Sequence, residues 1–332
     1  MKAASIVLSL LIWSGIAACS LQTTPGAPVV TARASPAVTT SSAADLIALT
    51  PTATLIPTLE VSSTLVPSST PTLVPLNLAN PAVVVMANNL PGPDDLVLAP
   101  DGSIFISDIV DGTIRQLAPD GKLQVILTGL SIPEGLVILP DNSLLVAEQG
   151  KNRLVLCNLK TGSMTPFLTL INKTSNEGVD GIFLDDRPSL MPSIIIPDSP
   201  NGTVLRASLD GKTLVTIASG FARPTGGWVE PDGSLLVADE NGGAIKRIHP
   251  DGKVEKLADF LVPDDVVEDP AGNIFVATLG DNAIHVIPAG REQNILLTSG
   301  LSGPQGIIFD PAGNLVVTDP GNHRLIKIMI HP

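Results

Sequence analysis

The chain has 332 residues, a formal net charge of −13 and only 3 % aromatic residues, with no tyrosine. This charge excludes nucleic acid as the expected partner, because binding a phosphate backbone needs a basic stripe. Apolar residues make up 44 % of the sequence, which is too many for a chain that is disordered throughout.

The first 19 residues have the pattern of an export signal. Lys2 gives a positive start, a short uncharged apolar run follows, and small residues precede Cys19. The letters IAAC at 16–19 resemble a bacterial lipobox, which implies cleavage before Cys19 and attachment of lipid, including palmitate, to that cysteine. We therefore expect residues 1–19 to be a lipoprotein signal peptide; an ordinary cleaved signal with a chance cysteine is the alternative. The signal predicts an exported protein, lipid-anchored to the cell membrane, with its domain outside the cytoplasm.

Residues 20–80 form a segment rich in Ser, Thr and Pro. Its only charges are Arg33, Asp45 and Glu60, and neither a helical nor a strand period persists in it. Recurrent proline removes backbone donors and favours extended conformations. We predict a disordered tether that lifts a domain off the membrane, with some of its Leu and Val side chains packed loosely against that domain.

From residue 81 to residue 332 the chain repeats one unit six times. The phrases LSIPEGLVILPDNSLLVAEQ at 130–149 and FARPTGGWVEPDGSLLVADE at 221–240 show the repeat most clearly. Units of about 40 residues with several short β segments are typical of propeller blades. The third unit carries an insertion at 185–193. The units begin at Pro93, Pro133, Val179, Pro224, Pro263 and Pro304.

Each unit is predicted to hold four strands, separated by turns such as Pro-Asp-Gly, in which glycine takes a positive φ at little cost. The sixth unit has room for only three strands, so residues 82–87 should pair beside Leu325–Ile330 and close the ring. The predicted fold is all-β, a six-bladed β-propeller over residues 81–332. In the second unit the predicted strands are Gly135–Leu139, Ser143–Ala147, Leu154–Leu159 and Met164–Leu168.

The residue after each unit's first position should stand where the innermost strand begins, near one mouth of the central channel. Like charges crowded there repel, and a divalent cation held by oxygen ligands, Ca²⁺ above all, would remove that cost. We predict Asp94, Asp180 and Asp264 as metal ligands, with Glu134 able to reach from a neighbouring blade. The alternative is that these polar groups bind channel water and free N–H groups of neighbouring blades. The six positions are Asp94, Glu134, Asp180, Thr225, Asp264 and Gln305, of which Thr225 and Gln305 are predicted only to line the channel.

Other polar or reactive residues have structural interpretations. The neighbours Asp95 and Asp265 would add two carboxylates to the mouth, unless strand alternation turns them away. Cys157 lies in the apolar stretch LVLCNL and is predicted to be a buried core residue. A second ring, at the end of each unit's second strand, is predicted to accept backbone N–H bonds and cap turns. Its members are Asp108, Glu148, Asp198, Asp239, Thr278 and Asp319.

Several phrases resemble known families. DPGNHRLIKI and DENGGAIKRIHPDGK are similar to NHL repeats, while PEGLVILPDNSLLVAE and PDDVVEDPAGNIFVAT are similar to inner strands of the senescence marker protein, gluconolactonase and luciferin-regenerating enzyme family. Both resemblances imply a six-bladed propeller. The second implies one divalent ion at the channel mouth, hydrolysis of sugar lactones or esters, and ligand places held here by Asp94, Asp180, Thr225 and Asp264. Only Asp264 keeps the residue type of that family, and Thr225 replaces an asparagine ligand.

Two functions fit these observations. The first expectation is a surface-anchored binding or display module for an unidentified small-molecule, glycan or protein ligand, since a fold does not imply chemistry. The alternative is a metal-dependent lactonase or esterase in which Asp264 is the catalytic residue that activates water. The sequence has no GxSxG phrase, so nucleophilic serine chemistry is not supported. We expect a monomer attached to the membrane through its lipid.

Overall fold

The structure is a computed structural model that describes residues 76–79, 81–171, 178–188, 190–291 and 293–331. These residues form six four-stranded antiparallel sheets, the blades of a β-propeller, which confirms the predicted fold. The predicted signal peptide, with Cys19, and most of the predicted tether lie outside the described residues. No helix in the described part of the chain is long and apolar enough to cross a membrane.

The first three blades are built from consecutive strands, given from the channel outward. Blade 1 consists of β2 (Pro93–Leu98), β3 (Ile104–Asp108), β4 (Thr113–Leu117) and β5 (Leu123–Leu127). Blade 2 consists of β6 (Pro133–Ile138), β7 (Leu144–Glu148), β8 (Arg153–Cys157) and β9 (Met164–Thr169). Blade 3 consists of β10 (Phe183–Asp185), β11 (Ser193–Asp198), β12 (Thr203–Ser208) and β13 (Leu214–Ser219).

The remaining blades follow the same plan, except that the last blade takes its outer strand from the other end of the domain. Blade 4 consists of β14 (Pro224–Val229), β15 (Leu235–Asp239), β16 (Ala244–Ile248) and β17 (Val254–Asp259). Blade 5 consists of β18 (Pro263–Glu268), β19 (Ile274–Thr278), β20 (Ala283–Ile287) and β21 (Ile295–Thr298). Blade 6 consists of β22 (Ile307–Phe309), β23 (Leu315–Asp319), β24 (Arg324–Met329) and β1 (Ala82–Asn88). Short 3₁₀ helices follow three of the second strands, at Gln149–Lys151, Ser199–Asn201 and Pro320–Asn322.

The ring is closed as the sequence predicts. β1 runs antiparallel to β24, from the pair Ala82 and Met329 to the pair Asn88 and Arg324, with one bulge near the middle. Strands from both ends of the domain therefore share blade 6, which leaves no unpaired sheet edge between the first and last units.

The burial pattern explains why the second strands read as continuous apolar runs. Every residue of β3, β7, β15, β19 and β23 is buried, because neighbouring blades cover both faces of these strands. Cys157 is fully buried in the same core, as predicted, and burial raises the pKa of its thiol to about 12. Such a thiol is not a nucleophile at neutral pH.

The predicted strands of blade 2 all exist, with bounds shifted by one or two residues. β6 begins at Pro133 rather than Gly135, because Pro133 already pairs with Glu148 of β7. The insertion of blade 3 lies in the hairpin between β10 and β11, as expected. At the end of the predicted tether, Leu76 and Leu78 pack against the core next to blade 6, and the Asn77 N–H donates to the Ile330 carbonyl at 2.8 Å.

Candidate functional site

The predicted inner ring lies at one level of the channel. The Gly135 N–H donates to the Asp180 carbonyl at 3.1 Å, and the Gly306 N–H donates to the Asp94 carbonyl at the same distance. These bonds join the starts of inner strands in adjacent blades. The four carboxylates of the ring, Asp94, Glu134, Asp180 and Asp264, have exposed fractions of only 4–8 %. Together they form what we call the acidic mouth.

The carboxylates of the acidic mouth are close enough to raise one another's pKa. Burial is the largest cause for Asp94, Glu134 and Asp264, and the charge of Asp180 is the next largest for all three. The pKa of each of these three groups is therefore held well above its ordinary value. A carboxyl with a raised pKa stays protonated to a higher pH than a free carboxyl, and such a group can serve in general acid–base catalysis.

Arg223 supplies a cation to the acidic mouth that the sequence reasoning missed. Its Nη2 donates to Asp180 Oδ2 at 2.6 Å, and the guanidinium also contacts Glu240. The N–H groups of Ala222 and Arg223 both donate to Asp239 Oδ1, at 2.9 and 2.8 Å, which fixes the loop before β14. A signal for this arginine was present in the alignment of units, since no other unit has a charged residue before its first position. The equivalent residues are Gly92, Ile132, Gly178, Val262 and Gly303.

Two oxygens of the acidic mouth have no partner. Asp94 Oδ2 and Glu134 Oε2 are buried, and no described group donates a hydrogen bond to them. The other polar members of the ring behave differently. Gln305 is half-buried and hydrogen-bonds the side chain of Asp94. Thr225 is fully buried, and its hydroxyl donates to the Asp264 carbonyl at 2.6 Å, so it braces blade 4 against blade 5.

The donor chemistry of the acidic mouth fits a hard cation. Only oxygen atoms are offered, and an unpaired buried carboxylate oxygen is costly unless a proton or a metal satisfies it. Asp94, Glu134 and Asp264 are the residues that would hold the ion, since Asp180 is already bound by Arg223. Within the described ranges, however, no group of three or more His, Cys, Asp or Glu side chains is close enough to form a coordination shell.

Asp95 and Asp265 are turned away from the acidic mouth into the narrowest part of the channel, which we call the waist. Asp95 Oδ2 accepts the N–H of Leu136 in the next blade at 3.2 Å, and Asp265 Oδ2 accepts the N–H of Ile307 at 3.1 Å. Each carboxylate thus links inner strands of two neighbouring blades, which belong to different sheets and share no sheet hydrogen bonds. Burial raises the pKa of Asp95 to about 7 and also raises that of Asp265. Asp95 and Asp265 therefore act as acceptors for N–H groups of neighbouring blades.

Glycines complete the waist at the same position in the other four blades. A Cβ on Gly226 would lie 2.1 Å from Asp265 Oδ1, and one on Gly306 would lie 2.8 Å from Asp95 Oδ1. A Cβ on Gly135 or Gly181 would meet the backbone of the next blade at 2.5 or 2.7 Å. Only glycine permits this approach, which brings neighbouring blades close together at the waist.

A cavity of about 1640 Å³ lies on the other side of the waist. Asp95, Gly226 and Asp265 line its inner end, whereas Asp94 and Asp264 of the acidic mouth do not line it. The channel thus has two ends of different character, an acidic one where the inner strands begin and a largely apolar cavity where they end. We call the second one the lower cavity.

The second ring has the structural role that its turn sequences suggest. The N–H of Gly92 donates to Asp108 at 3.0 Å and that of Ser131 to Glu148 at 2.9 Å, so each carboxylate holds the loop that enters its own blade. Asp319 does the same for Ser302 at 2.6 Å. Asp198 instead accepts from the Asn201 amide, and the Thr278 hydroxyl donates to the Ala283 carbonyl. Basic residues on the third strands pair with this ring, namely Arg115, Arg153, Lys246 and Arg324.

No protein-family model and no curated protein sequence matches the chain. Solved structures do. A gluconolactonase from Xanthomonas campestris aligns with a TM-score of 0.63 and 16 % identity, covering 76 % of this chain and 90 % of its own. The calcium-binding protein regucalcin from Agrobacterium tumefaciens aligns with a TM-score of 0.61 and 16 % identity, covering 76 % and 94 %.

A third similar structure is virginiamycin B lyase from Staphylococcus aureus, with a TM-score of 0.56, 16 % identity and coverage of 74 % and 98 %. These identities are too low to transfer a reaction, and the three names describe different activities on one architecture. The chain shares the β-propeller fold of these gluconolactonase, regucalcin and virginiamycin B lyase structures.

Proposed function

We propose that the acidic mouth binds one divalent cation and hydrolyses a lactone or related ester. The observation that carries this proposal is the pair of unpartnered, buried oxygens, Asp94 Oδ2 and Glu134 Oε2, in a mouth with four carboxylates. Buried carboxylate oxygens without donors are costly, and a hard cation is the ligand that removes this cost. The fold shared with a gluconolactonase and a calcium-binding protein supports the same interpretation.

Asp94, Glu134 and Asp264 would hold the ion, and Ca²⁺ is the ion expected for oxygen-only ligands. When bound, such an ion polarises a carbonyl oxygen as a Lewis acid. Asp180 does not take part directly, because its Oδ2 accepts from Arg223 at 2.6 Å. The Arg223 guanidinium keeps one permanent positive charge beside the substrate carbonyl and beside the carboxylate that the reaction produces.

Proton transfer is assigned to Asp264. Asp264 accepts a proton from water, whose oxygen attacks the carbonyl carbon of the ester. The carbon–oxygen bond to the leaving alkoxide then breaks. The protonated Asp264 donates the proton that the alkoxide takes up. One water is consumed and a hydroxy acid is formed.

The test uses the full chain, stripped with chelator and reloaded separately with Ca²⁺, Mn²⁺ and Zn²⁺. We expect one ion per chain, a higher melting temperature and hydrolysis of at least one member of a broad lactone panel. Asp264→Asn should abolish turnover, and Asp94→Asn should weaken ion binding at least tenfold. Asp251→Asn, on an exposed turn, is the matched control for loss of one charge. Ion binding without hydrolysis of any lactone would reject the catalytic part of the proposal.

A second candidate is a non-catalytic binding module, and Arg223 favours it. The guanidinium already neutralises part of the acidic mouth, so the mouth is partly satisfied without any ion. In that case no divalent cation binds at millimolar concentration, and an anionic or hydroxyl-bearing ligand would meet Arg223 instead. Absence of ion binding in the stripped chain, combined with capture of a small molecule or glycan, would favour this function.

We also propose that the protein is exported and attached to the cell membrane through a lipid on Cys19. The IAAC phrase after an apolar run supports this proposal. Metabolic labelling with a palmitate analogue should mark the native chain. Cys19→Ser should abolish the label and release the chain from the membrane fraction.

A further inference from the structure

The lower cavity has a large volume and an apolar wall, and it has no role in the proposed hydrolysis at the acidic mouth. Its volume of about 1640 Å³ exceeds that of most small-molecule sites, which are typically about 300–1,000 Å³. Three of the chain's nine aromatic residues, Phe183, Trp228 and Phe309, line this cavity. All three are half-buried, and the rings of Trp228 and Phe309 meet edge to face at 6.4 Å.

Half-buried aromatic side chains around a concave space are typical of ligand sites rather than of a sealed core. Leu76 and Leu78 extend the same wall, next to the core cluster that includes Phe309. An apolar molecule would therefore bind this wall most favourably, since the burial of apolar surface is the main source of binding affinity there.

Several carboxylates on the cavity wall form no ion pair with a described cation, namely Asp95, Asp186, Asp265, Glu268 and Asp269. Glu268 is singled out because, unlike Asp95, Asp265 and Asp269, it also accepts no hydrogen bond, and unlike Asp186 it is half-buried. Glu268, the last residue of β18, lines the lower cavity, and no described group forms a hydrogen bond or ion pair with it. Nearby Arg247 is already bound to Glu230 by two bonds of 2.6 Å. Arg187, on the same wall, is bound to Asp185 at 2.8 Å. Partial burial and the negative charge of Glu230 raise the pKa of Glu268 to about 7.

We propose that the lower cavity binds a small apolar molecule that carries one ammonium group, with its apolar body against Trp228 and Phe309 and its charge paired to Glu268. An ammonium group satisfies the unpaired carboxylate, and the face of Trp228 also attracts a cation. An apolar anion is disfavoured, because Arg187, the arginine on this wall, is already bound to Asp185. The net charge of −13 further attracts cationic ligands and repels anionic ones.

This site is independent of the proposed hydrolysis. Asp94 and Asp264 of the acidic mouth do not line the lower cavity, whose inner end is formed by Asp95, Asp265 and Gly226. Binding at one site can therefore be measured while the other is inactivated by chelator or by Asp264→Asn.

The experiment uses octylamine, octan-1-ol and octanoate as probes of equal chain length and different charge. The protein is the full chain with Trp13→Phe, in which Trp228 is the only tryptophan. Trp228 fluorescence is titrated at about pH 8, where Glu268 is mostly ionised and an alkylammonium keeps its proton. We expect octylamine to bind about tenfold more tightly than octan-1-ol, and octanoate to bind most weakly.

Glu268→Gln should remove the preference for octylamine and leave octan-1-ol binding unchanged. Asp120→Asn, on an exposed turn, removes one charge elsewhere and should keep the preference. Melting temperatures establish that both variants are folded. The proposal is overturned if no probe changes Trp228 fluorescence, if the three probes bind equally, or if Glu268→Gln retains the preference.

Discussion

The Arg223 guanidinium lies 2.6 Å from Asp180 Oδ2, inside a ring of carboxylates that otherwise contains no positive charge from the described residues. The side chains of this pair are 15 % and 11 % exposed, so solvent screens their interaction poorly. Arg223 therefore places a fixed positive charge beside the proposed ligands Asp94 and Asp264, and this charge opposes the binding of a divalent cation there. The first prediction concerns the removal of this charge.

Arg223→Gln should lower the free energy of unfolding by about 3 kcal/mol in chelator, because it leaves buried carboxylates without a counter-charge. The increase in melting temperature on adding Ca²⁺ should become larger than in the unaltered protein, since the guanidinium charge then no longer opposes the ion. Thermal unfolding with and without Ca²⁺ measures both effects.

The matched control for this variant is Arg153→Gln, which removes an arginine from Glu148 of the second ring, outside the acidic mouth. It should destabilise the protein without changing the response to Ca²⁺. An equal Ca²⁺ response in both variants would show that the charge of Arg223 does not oppose ion binding.

The waist gives a second prediction, from the link between Asp95 and the Leu136 N–H of the next blade. Asp95→Ala should cost about 2 kcal/mol, because it leaves buried N–H groups without acceptors. Asp95→Asn should cost less, because the amide keeps one acceptor oxygen. Urea unfolding measures both values, and Asp120→Ala on an exposed turn serves as the control. Equal costs for Ala and Asn at Asp95 would contradict a hydrogen-bonding role.

The sequence predicts the fold and the level of the inner ring because both depend on a period. Proline, apolar runs and turn residues recur about every 40 residues, and each repeat of this pattern forms one blade. The role of Arg223 cannot be predicted from the sequence, because it depends on the direction of one side chain across the channel. Strand alternation alone does not determine the orientation of Asp95 and Asp265. It also does not show that glycines in the other blades bring the strands close enough for a carboxylate to bridge them.

The lower cavity could not be predicted from the sequence at all. Its wall is made of residues that look like ordinary core, such as Trp228 and Phe309, and the sequence does not show that they surround a cavity of about 1640 Å³. Glu268 resembles a surface residue in the sequence. Only its half-buried place on the cavity wall, together with the absence of a hydrogen bond or ion pair to any described group, singles it out.

A third prediction concerns pH. The folded-state pKa values of Asp95 and Glu268 are raised to about 7, above unfolded values near 4. Between these values the folded state holds more protons than the unfolded state, so stability falls as pH rises from about 5 to about 8. Asp185, whose pKa is lowered to about 2 by Arg187, has the opposite effect, but its contribution is lost only below about pH 4.

Urea unfolding in chelator at several pH values tests this dependence. Glu268→Gln should remove about 1 kcal/mol of the loss, a value reduced for solvent screening because the side chain is partly exposed. A stability that rises from pH 5 to pH 8 would show that these carboxylates are ionised without cost in the folded state.

The last prediction concerns ring closure, which depends on Leu90 between β1 and β2. Leu90 is fully buried in the cluster that joins blade 6 to blade 1, together with Leu96 and Leu325. Leu90→Ala should cost about 3 kcal/mol, from lost burial and the cavity left behind. Leu261→Ala, at a side chain that is 63 % exposed, should change stability by less than about 0.5 kcal/mol. If hydrogen exchange in Leu90→Ala increases in β1 and β24 before it increases in the other five blades, blade 6 is the least stable part of the ring. Uniform exchange in all six blades would show instead that the ring opens as one unit.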